Sequence, residues 1–228
     1  MTCFVTSWVR QLIASRVLWA ALLMTAHACA RGGANPPVAP PPMPPAATRP
    51  VPTPASVALG RRPEYRSPRD ETVTDGDLDA LWERQLMVPV EGVSRLKIQD
   101  DFVARRSDRI HGALDLAAPR YSAVLATDDL VIGRLATGPV GGIALYASDP
   151  AERFVYYYAH LQRYRRGLAV GDRVAKGSVI GYVGTTGNAP PDTPHLHFQV
   201  MKRVVGRVWW DGPSINPLTL FAFDGVRP

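Results

Sequence analysis

The stretch His195-Leu196-His197-Phe198 places two imidazoles two residues apart in a run that is otherwise apolar. Successive side chains of a β-strand point to opposite faces, so His195, His197 and Gln199 share one face while Leu196 and Phe198 share the other. A run that is apolar on one face only is typical of a half-buried strand. The stretch therefore predicts a strand that packs on a core with one face and presents two histidines with the other.

Two earlier segments have the same design. In the segment from His111 to Asp115 the two end residues lie four apart and share a strand face. In the segment that ends at His160, the same alternation puts Tyr156 and Tyr158 on the face of the histidine. If the three strands are neighbours in a sheet, their polar groups converge on one place.

The distribution of histidine supports this reading. Four of the five histidines lie in these three segments, and the fifth, His27, lies near the amino terminus. Zn²⁺ takes nitrogen and oxygen ligands tetrahedrally, and a catalytic site uses three protein ligands and leaves the fourth position to water. Two histidines and a carboxylate would suffice, and the two remaining imidazoles would handle protons near neutral pH. Because a lone His and Asp pair is most often solvated, the prediction depends on all three segments together.

From Val88 onward the pattern is that of β-structure, with short alternating runs separated by turn signals such as Gly141-Gly142 and Gly171-Asp172. We expect a mainly β fold: a single antiparallel β-sandwich or open barrel-like domain with an active-site groove. The domain is assigned to residues 71–228, with its core at 88–220. The length is sufficient to bury a core.

A short helix is predicted ahead of the strands. Thr74 or Asp75 is a suitable N-cap, and Pro89 ends the segment. Apolar residues follow the cap at helical spacing, which predicts that the helix packs against the domain: Leu78, Leu81, Trp82 and Leu86.

Residues 1–30 are typical of a secretion signal, because Arg10 and Arg16 form a positive region ahead of a short apolar core from Val17 to Ala26. Two ways of processing stay open. Ala26-His27-Ala28 fits the small-x-small cleavage pattern, whereas the same residues followed by Cys29 resemble a bacterial lipoprotein box. We therefore expect an exported protein, with a lipid anchor on Cys29 as one of the two alternatives.

Residues 31–70 are predicted to be a disordered, proline-rich linker, since ten of the 20 residues from Asn35 to Pro54 are proline. Both cysteines, Cys3 and Cys29, lie in or beside the leader, which excludes a thiol nucleophile in the domain. The formal net charge is +6, but lysine and arginine do not cluster as in a nucleic-acid binder.

The order His-x-x-x-Asp, Tyr-Ala-His-Leu and Pro-His-Leu-His-Phe resembles the lysostaphin-type (LytM-like) zinc metalloendopeptidases that act on peptidoglycan. The resemblance implies Zn²⁺ bound by His111, Asp115 and His197. It also implies that His160 and His195 are the catalytic histidines, without dividing their roles.

The resemblance implies an enzyme that acts on the stem peptides of peptidoglycan in the periplasm or cell envelope. We expect it to be exported, to be a monomer and not to bind nucleic acid. A leader and a long spacer, without a wall-binding domain after the catalytic one, favour a resident enzyme that cuts between D-alanine and diaminopimelate. Tyr156, Tyr158 and Trp209 are expected to line its groove. Two alternatives stay open: a non-catalytic regulator of cell-wall amidases, and a broader secreted zinc protease.

Overall fold

The computed structural model describes residues 62–106 and 109–222. The expected leader, Cys29 and most of the expected linker therefore lie outside the described residues. Among the helices of the described part, none combines the length and apolar character that a membrane span requires.

The expected helix is present as α1 (Asp75–Glu83), and Thr74 is its N-cap. The side chain of Thr74 accepts a hydrogen bond from the Asp77 backbone, while the Asp77 carboxylate accepts one from the Thr74 backbone at 2.9 Å. This reciprocal capping satisfies two of the amide groups that a helix start leaves unpaired. The helix ends earlier than the spacing predicts, because the chain turns at Gln85, whose φ is +50°.

Eleven strands are described after the helix, with these bounds: β1 (Arg105–Arg106), β2 (Arg109–Ile110), β3 (Leu114–Ala117), β4 (Ala123–Leu125), β5 (Leu130–Gly138), β6 (Gly142–Ser148), β7 (Phe154–Tyr164), β8 (Arg173–Val174), β9 (Val179–Val183), β10 (His195–Lys202) and β11 (Ser214–Ile215). Two 3₁₀ turns, Arg95–Lys97 and Leu218–Leu220, complete the regular structure of this part. The first two strands pair as a separate hairpin. The other nine form one antiparallel sheet in the order β11-β10-β7-β6-β5-β8, which β3, β4 and β9 join from the side. The expected mainly β, antiparallel fold is confirmed, and the sheet remains open.

β10 is the strand that the opening stretch predicts. It pairs with β7 along one edge, and with β3 and then β11 along the other. His197 is opposite Asp115 on one side and Ala159 on the other. The three sequence segments are therefore adjacent in one sheet, as their shared pattern requires. Leu196 and Phe198 are fully buried, so the apolar face of the strand covers the core.

β7 contains an irregularity at His160. Leu145 of β6 is opposite Tyr158, whereas Ile143 is opposite Leu161, so β7 has one residue more than β6 over this interval. His160 has a φ of +59°, in the left-handed region that side chains other than glycine seldom occupy. An extra residue in one strand is a β-bulge, and it shifts the alternation of side chains by one position.

The shift corrects the faces expected for this strand. Tyr156 and Tyr158 do not line the groove, because both are 0% exposed and lie in the core. The Tyr156 hydroxyl donates to Asp128 at 2.8 Å, and the Tyr158 hydroxyl accepts from the Thr127 backbone at 3.1 Å. The prediction that these two tyrosines bind substrate is wrong because it assumes unbroken alternation up to His160.

A network of charged side chains lies between α1 and the sheet. Arg84, which follows the helix, donates to Asp128 at 2.8 Å and to Asp149 at 2.6 Å. Asp149 is completely buried and also accepts the backbone N–H groups of Arg153 and Phe154, both at 2.7 Å. We call Arg84, Asp128 and Asp149 the Arg84 network. It fixes the end of the helix to the domain.

The end of the expected linker contacts the domain. The hydroxyl of Tyr65 accepts a hydrogen bond from the backbone of Asn216 at 2.7 Å, and the Asn216 amide donates to Ser67 at 2.8 Å. Tyr65 also packs against the hydrophobic core. The chain therefore contacts the domain at Tyr65, ahead of the expected boundary at residue 70.

Candidate active site

Three donor atoms from β3, β10 and the segment before β3 meet at one point. His111 Nε2 lies 3.2 Å from Asp115 Oδ1, and His197 Nδ1 lies 3.0 Å from the same oxygen. The two imidazole nitrogens are 3.1 Å apart. Asp115 and His197 are directly opposite in the β3–β10 ladder, so the sheet itself brings them together.

The triangle of donor atoms has the size that Zn²⁺ requires. Ligands at about 2.0 to 2.1 Å from zinc, arranged tetrahedrally, lie about 3.3 Å from one another. The three observed distances are 3.0, 3.1 and 3.2 Å. Nitrogen, nitrogen and carboxylate oxygen are also the donor types that suit a catalytic zinc site. His111, Asp115 and His197 therefore fit Zn²⁺ with one coordination position left open.

Asp101, in the loop before β1, orients two of these residues. Its backbone carbonyl lies 3.2 Å from His111 Nδ1, and its carboxylate accepts the Asp115 N–H at 3.3 Å. A carbonyl only accepts hydrogen bonds, so His111 carries its proton on Nδ1 and presents Nε2 to the metal. Burial would lower the pKa of His111, but the hydrogen bonds with Asp101 and Asp115 raise it to about 9.

Arg106 binds the side of Asp115 that faces away from the histidines. Its guanidinium donates to Asp115 Oδ2 at 2.5 Å, and it lies 3.5 Å from the carboxylate of Asp101. Burial would raise the pKa of Asp115, but its hydrogen bonds with His111 and His197 hold it well below its usual range. The carboxylate is therefore ionised and offers Oδ1 alone to the metal.

His160 stands beside the three donor atoms, 5.7 Å from the His197 ring. Its Nδ1 lies 2.8 Å from the carbonyl of Thr186, and its backbone N–H donates to the carbonyl of Gly141 at 2.8 Å. The first contact places the ring proton on Nδ1 and leaves Nε2 as an acceptor. Burial lowers the pKa of His160, which favours the neutral, proton-accepting imidazole.

His195 is held in the same way. Its Nδ1 lies 2.8 Å from the carbonyl of Thr193, which again leaves Nε2 as the acceptor. That Nε2 is 3.9 Å from Asp115 Oδ1, and the ring lies 4.9 Å from the His160 ring. All five site residues expected from the sequence therefore come together, three with converging donor atoms and two with free Nε2 atoms beside them.

The site opens into a groove of about 1140 Å³. Tyr157 and Tyr146, whose rings are stacked at 4.3 Å, line it in place of the two tyrosines expected there. Trp209 is not among the lining residues. Its ring covers Gly133 so closely that a Cβ on this glycine would lie 2.1 Å from it. The neighbouring Trp210 reaches Arg134, a lining residue, at 4.5 Å.

Sequence reasoning misses Asp101, Arg106 and Tyr157. The role of Asp101 depends on its contact with His111, which joins two loops that the sequence does not relate. The two arginines at 105 and 106, shortly before the first motif, are a signal that could have pointed to Arg106. The orientation of Tyr157 could not be predicted from the sequence, because it depends on the bulge at His160.

Residues 109–217 match the model of peptidase family M23. The match begins at β2 and includes every residue of the proposed metal and acid/base set. These residues form a peptidase M23 domain; M23 peptidases are zinc metallopeptidases, and the donor atoms described above fit that ion.

Three relatives show the range within the family. The chain is 34% identical over 107 residues to an L-Ala–D-Glu endopeptidase from Bacillus subtilis, which covers 45% of this chain and 32% of that protein. It is 30% identical over 93 residues to the peptidoglycan DD-endopeptidase ShyC from Vibrio cholerae, and the match covers 41% of this chain and 20% of that protein. It is 42% identical over 59 residues to the glycyl-glycine endopeptidase ALE-1 from Staphylococcus capitis, and the match covers 26% of this chain and 15% of that protein. The chain thus spans about a third or less of the length of these relatives.

Proposed function

We propose that this protein is an exported zinc metalloendopeptidase that hydrolyses peptide cross-links of peptidoglycan, with His111, Asp115 and His197 as the metal ligands. The observation that carries the proposal is the meeting of three donor atoms at 3.0 to 3.2 Å beside two histidines with free Nε2 atoms. A purely structural cluster would have no need of the two further imidazoles. Relatives named as peptidoglycan endopeptidases support the substrate class.

Zn²⁺ at this site would supply a Lewis acid that polarises the scissile carbonyl and lowers the pKa of water to about 7. The chain itself supplies the proton transfers. His160 and His195 each keep Nδ1 on a backbone carbonyl and leave Nε2 as an acceptor beside the proposed metal ligands, so either could accept a proton and return it to the leaving amine. The fixed carbonyl contacts hold both rings in the orientation that this transfer needs.

We further propose that the bond cut is the one between D-alanine and diaminopimelate. The three relatives are named for three different bonds, so family membership alone does not select one. The DD-endopeptidase among them supports the choice, as do the leader and the proline-rich spacer, which suit an enzyme held near a thin wall. Tyr146 and Tyr157 take the place of Tyr156 and Tyr158 as the aromatic wall that contacts the stem peptide.

Export and anchoring are separate parts of the proposal. If Cys29 is lipidated, the protein partitions into detergent and Cys29→Ser releases it in soluble form. A single acyl chain holds a protein only weakly, so stable anchoring needs two or more. Wild-type protein found free in the soluble fraction would instead indicate cleavage of an ordinary signal.

The experiment that tests the activity uses purified cross-linked muropeptide dimers and weighs the products by mass spectrometry. We expect conversion of dimers to monomers, loss of this activity with a chelator, and recovery on adding Zn²⁺. Intact dimers together with cleaved pentaglycine, or with stem peptides released by an amidase cut, would overturn the proposed bond. A non-catalytic regulator of amidases would leave every substrate intact when assayed alone.

A further inference from the structure

The groove beside the metal centre has an unusual balance of charge. Among the residues that the structure describes, four arginines line it, namely Arg105, Arg106, Arg109 and Arg134, and Asp115 is the one lining carboxylate. That carboxylate faces the histidines with one oxygen and Arg106 with the other. The positive charges of the other arginines are therefore available to something that enters the groove.

No carboxylate of the described residues forms an ion pair with Arg105, Arg109 or Arg134. All three are exposed. Elsewhere in this part of the chain many arginines have acidic partners, as in the Arg84 network. Guanidinium groups that line a concave surface without acidic partners are suited to an anionic ligand.

Arg134 is held in position by the sheet. Gln199, Tyr157, Tyr146 and Arg134 stand opposite one another on β10, β7, β6 and β5, and so form one row across the groove floor. The guanidinium of Arg134 lies 4.5 Å from the centre of the Trp210 ring and 5.7 Å from that of Tyr146. Stacking on two rings restricts the side chain while leaving its N–H groups free to donate.

Arg109 approaches the same place from the β1–β2 hairpin, where it is paired with Arg106. Burial and the neighbouring Tyr146 raise the pKa of Tyr157, while the positive charges of Arg109 and Arg134 oppose this rise. Arg109, Arg134 and Tyr157 all line the same groove. The row and the hairpin together place positive charge on the Gln199 side of the metal ligands.

The opposite half of the groove is different. Beyond His160 and His195 it is lined by the uncharged residues Asn188, Ala189 and Pro190. Arg120 lies near this end, but it is not a lining residue and its guanidinium donates to Thr185 and to the carbonyl of Pro191. The groove therefore has a cationic half and a neutral half, with the metal ligands between them.

We propose that the cationic half is a carboxylate-binding subsite, in which Arg109 and Arg134 bind a free carboxylate of the substrate next to the scissile bond. The inference rests on the proposed function and deepens it. In a cross-link to diaminopimelate, the carbon that bears the scissile amine also bears a carboxylate, whereas a glycine bridge has no charged group at this place. The subsite therefore selects acidic stem peptides over neutral bridges.

The test compares two diaminopimelate-type muropeptide dimers that differ only in whether the diaminopimelate carboxylates are free or amidated. Wild-type holoenzyme should cut the free acid with a kcat/KM roughly 10 to 100 times that for the amide, as expected for a charge-assisted hydrogen-bond pair. Arg109→Gln and Arg134→Gln should each lose most of this preference, because the rate on the free acid should fall far more than the rate on the amide. Arg166→Gln removes the same charge from an exposed position outside the groove, and should keep the wild-type preference.

Loss of activity on both dimers to the same extent in Arg109→Gln and Arg134→Gln would overturn the subsite, as would a wild type that does not distinguish them. If zinc-loaded wild type cuts neither dimer, the proposed function fails. Calorimetric binding of the free and amidated tetrapeptide monomers then still tests the subsite. Tighter binding of the acid that is lost in the two groove variants supports it, and equal binding of acid and amide refutes it.

Discussion

The Arg84 network and the metal centre are both clusters of acidic and basic side chains, but their polar atoms point to different places. In the Arg84 network every acceptor meets a donor of the protein: Asp149 accepts from Arg84 and from two backbone amides. In the metal centre the potential ligand atoms of His111, Asp115 and His197 face one another at 3.0 to 3.2 Å.

Three electron-rich atoms at such distances need a shared proton or cation between them. A charged cluster that stabilises the fold thus differs from a functional one in where its polar atoms point, which is either to protein partners or to one shared point. The first stabilises the fold, and the second is organised by the fold at some cost in stability. Substitutions in the Arg84 network should therefore lower stability and leave activity unchanged, whereas substitutions in the metal centre should remove activity and leave the fold unchanged.

The largest effect is expected from removing a metal ligand. His111→Ala, Asp115→Ala or His197→Ala leaves two donors, which is too few to hold Zn²⁺ against water. We expect elemental analysis to find no zinc and the muropeptide assay to fall to background, with the far-UV circular dichroism spectrum unchanged. Asp211→Ala, an exposed carboxylate outside the cluster, is the control. Full zinc content in all three variants would refute the ligand assignment.

The next effect is expected at the two other histidines. His195→Ala and His160→Asn should retain zinc and lose roughly 10² to 10⁴ in kcat, the usual contribution of an acid or base group. Asparagine is chosen at position 160 because it tolerates the left-handed backbone better than most residues. Zinc content measured beside the rate separates the two kinds of histidine. A variant that lost its metal would show that ligand and catalytic roles had been exchanged.

In the Arg84 network we expect the reverse result. Asp149→Ala leaves two backbone amides and one arm of the Arg84 guanidinium without an acceptor, while Arg84 keeps its bond to Asp128. This change should lower the free energy of unfolding by about 3 to 5 kcal/mol. Urea denaturation measures this loss, and activity per folded molecule should stay at the wild-type level. Asp79→Ala breaks an ion pair whose carboxylate is 57% exposed, and should cost less than about 1 kcal/mol. Equal costs for the two changes would contradict the distinction.

The smallest effect concerns pH. In protein stripped of metal by a chelator, the hydrogen bonds to Asp101 and Asp115 keep His111 protonated below its pKa of about 9. Zinc must displace this proton, so apparent affinity should fall about tenfold per pH unit as pH decreases from 9 towards 7. Calorimetry in buffers of different ionisation enthalpy should detect about one proton released per zinc at pH 7. Asp101→Asn should lower the pKa of His111 and shift the pH dependence of zinc affinity to lower pH. A zinc affinity that does not change with pH would contradict the prediction.

The sequence predicts the architecture of this site well where the alternation of a strand is regular. His195, His197 and Gln199 all line the groove because β10 has no irregularity at these residues. Asp115 could be placed because it lies on a strand that pairs with β10. The same reasoning fails at Tyr156 and Tyr158, because a bulge depends on the pairing partners of β7 and leaves no local signal in the sequence.

The charges around the site were harder still to predict. Asp101, in the loop before β1, and Arg106, in the β1–β2 hairpin, both contact Asp115 of β3, and such contacts depend on how loops pack. The arginines of the groove are scattered over positions 105 to 134, and the row of Arg134, Tyr146 and Tyr157 exists only through strand register. Charge patterning along the chain therefore showed a mild basic excess and gave no indication that one half of the groove would hold most of it.

The bulge at His160 has a consequence for how this enzyme can be improved or damaged. A side chain with a φ of +59° is strained, and glycine would relax the strain while still making the backbone hydrogen bond to Gly141. A search for thermostable variants would therefore tend to select glycine at the position where the imidazole is required. If His160 is the proton acceptor that we propose, screens for heat resistance and screens for turnover should disagree most sharply at this residue.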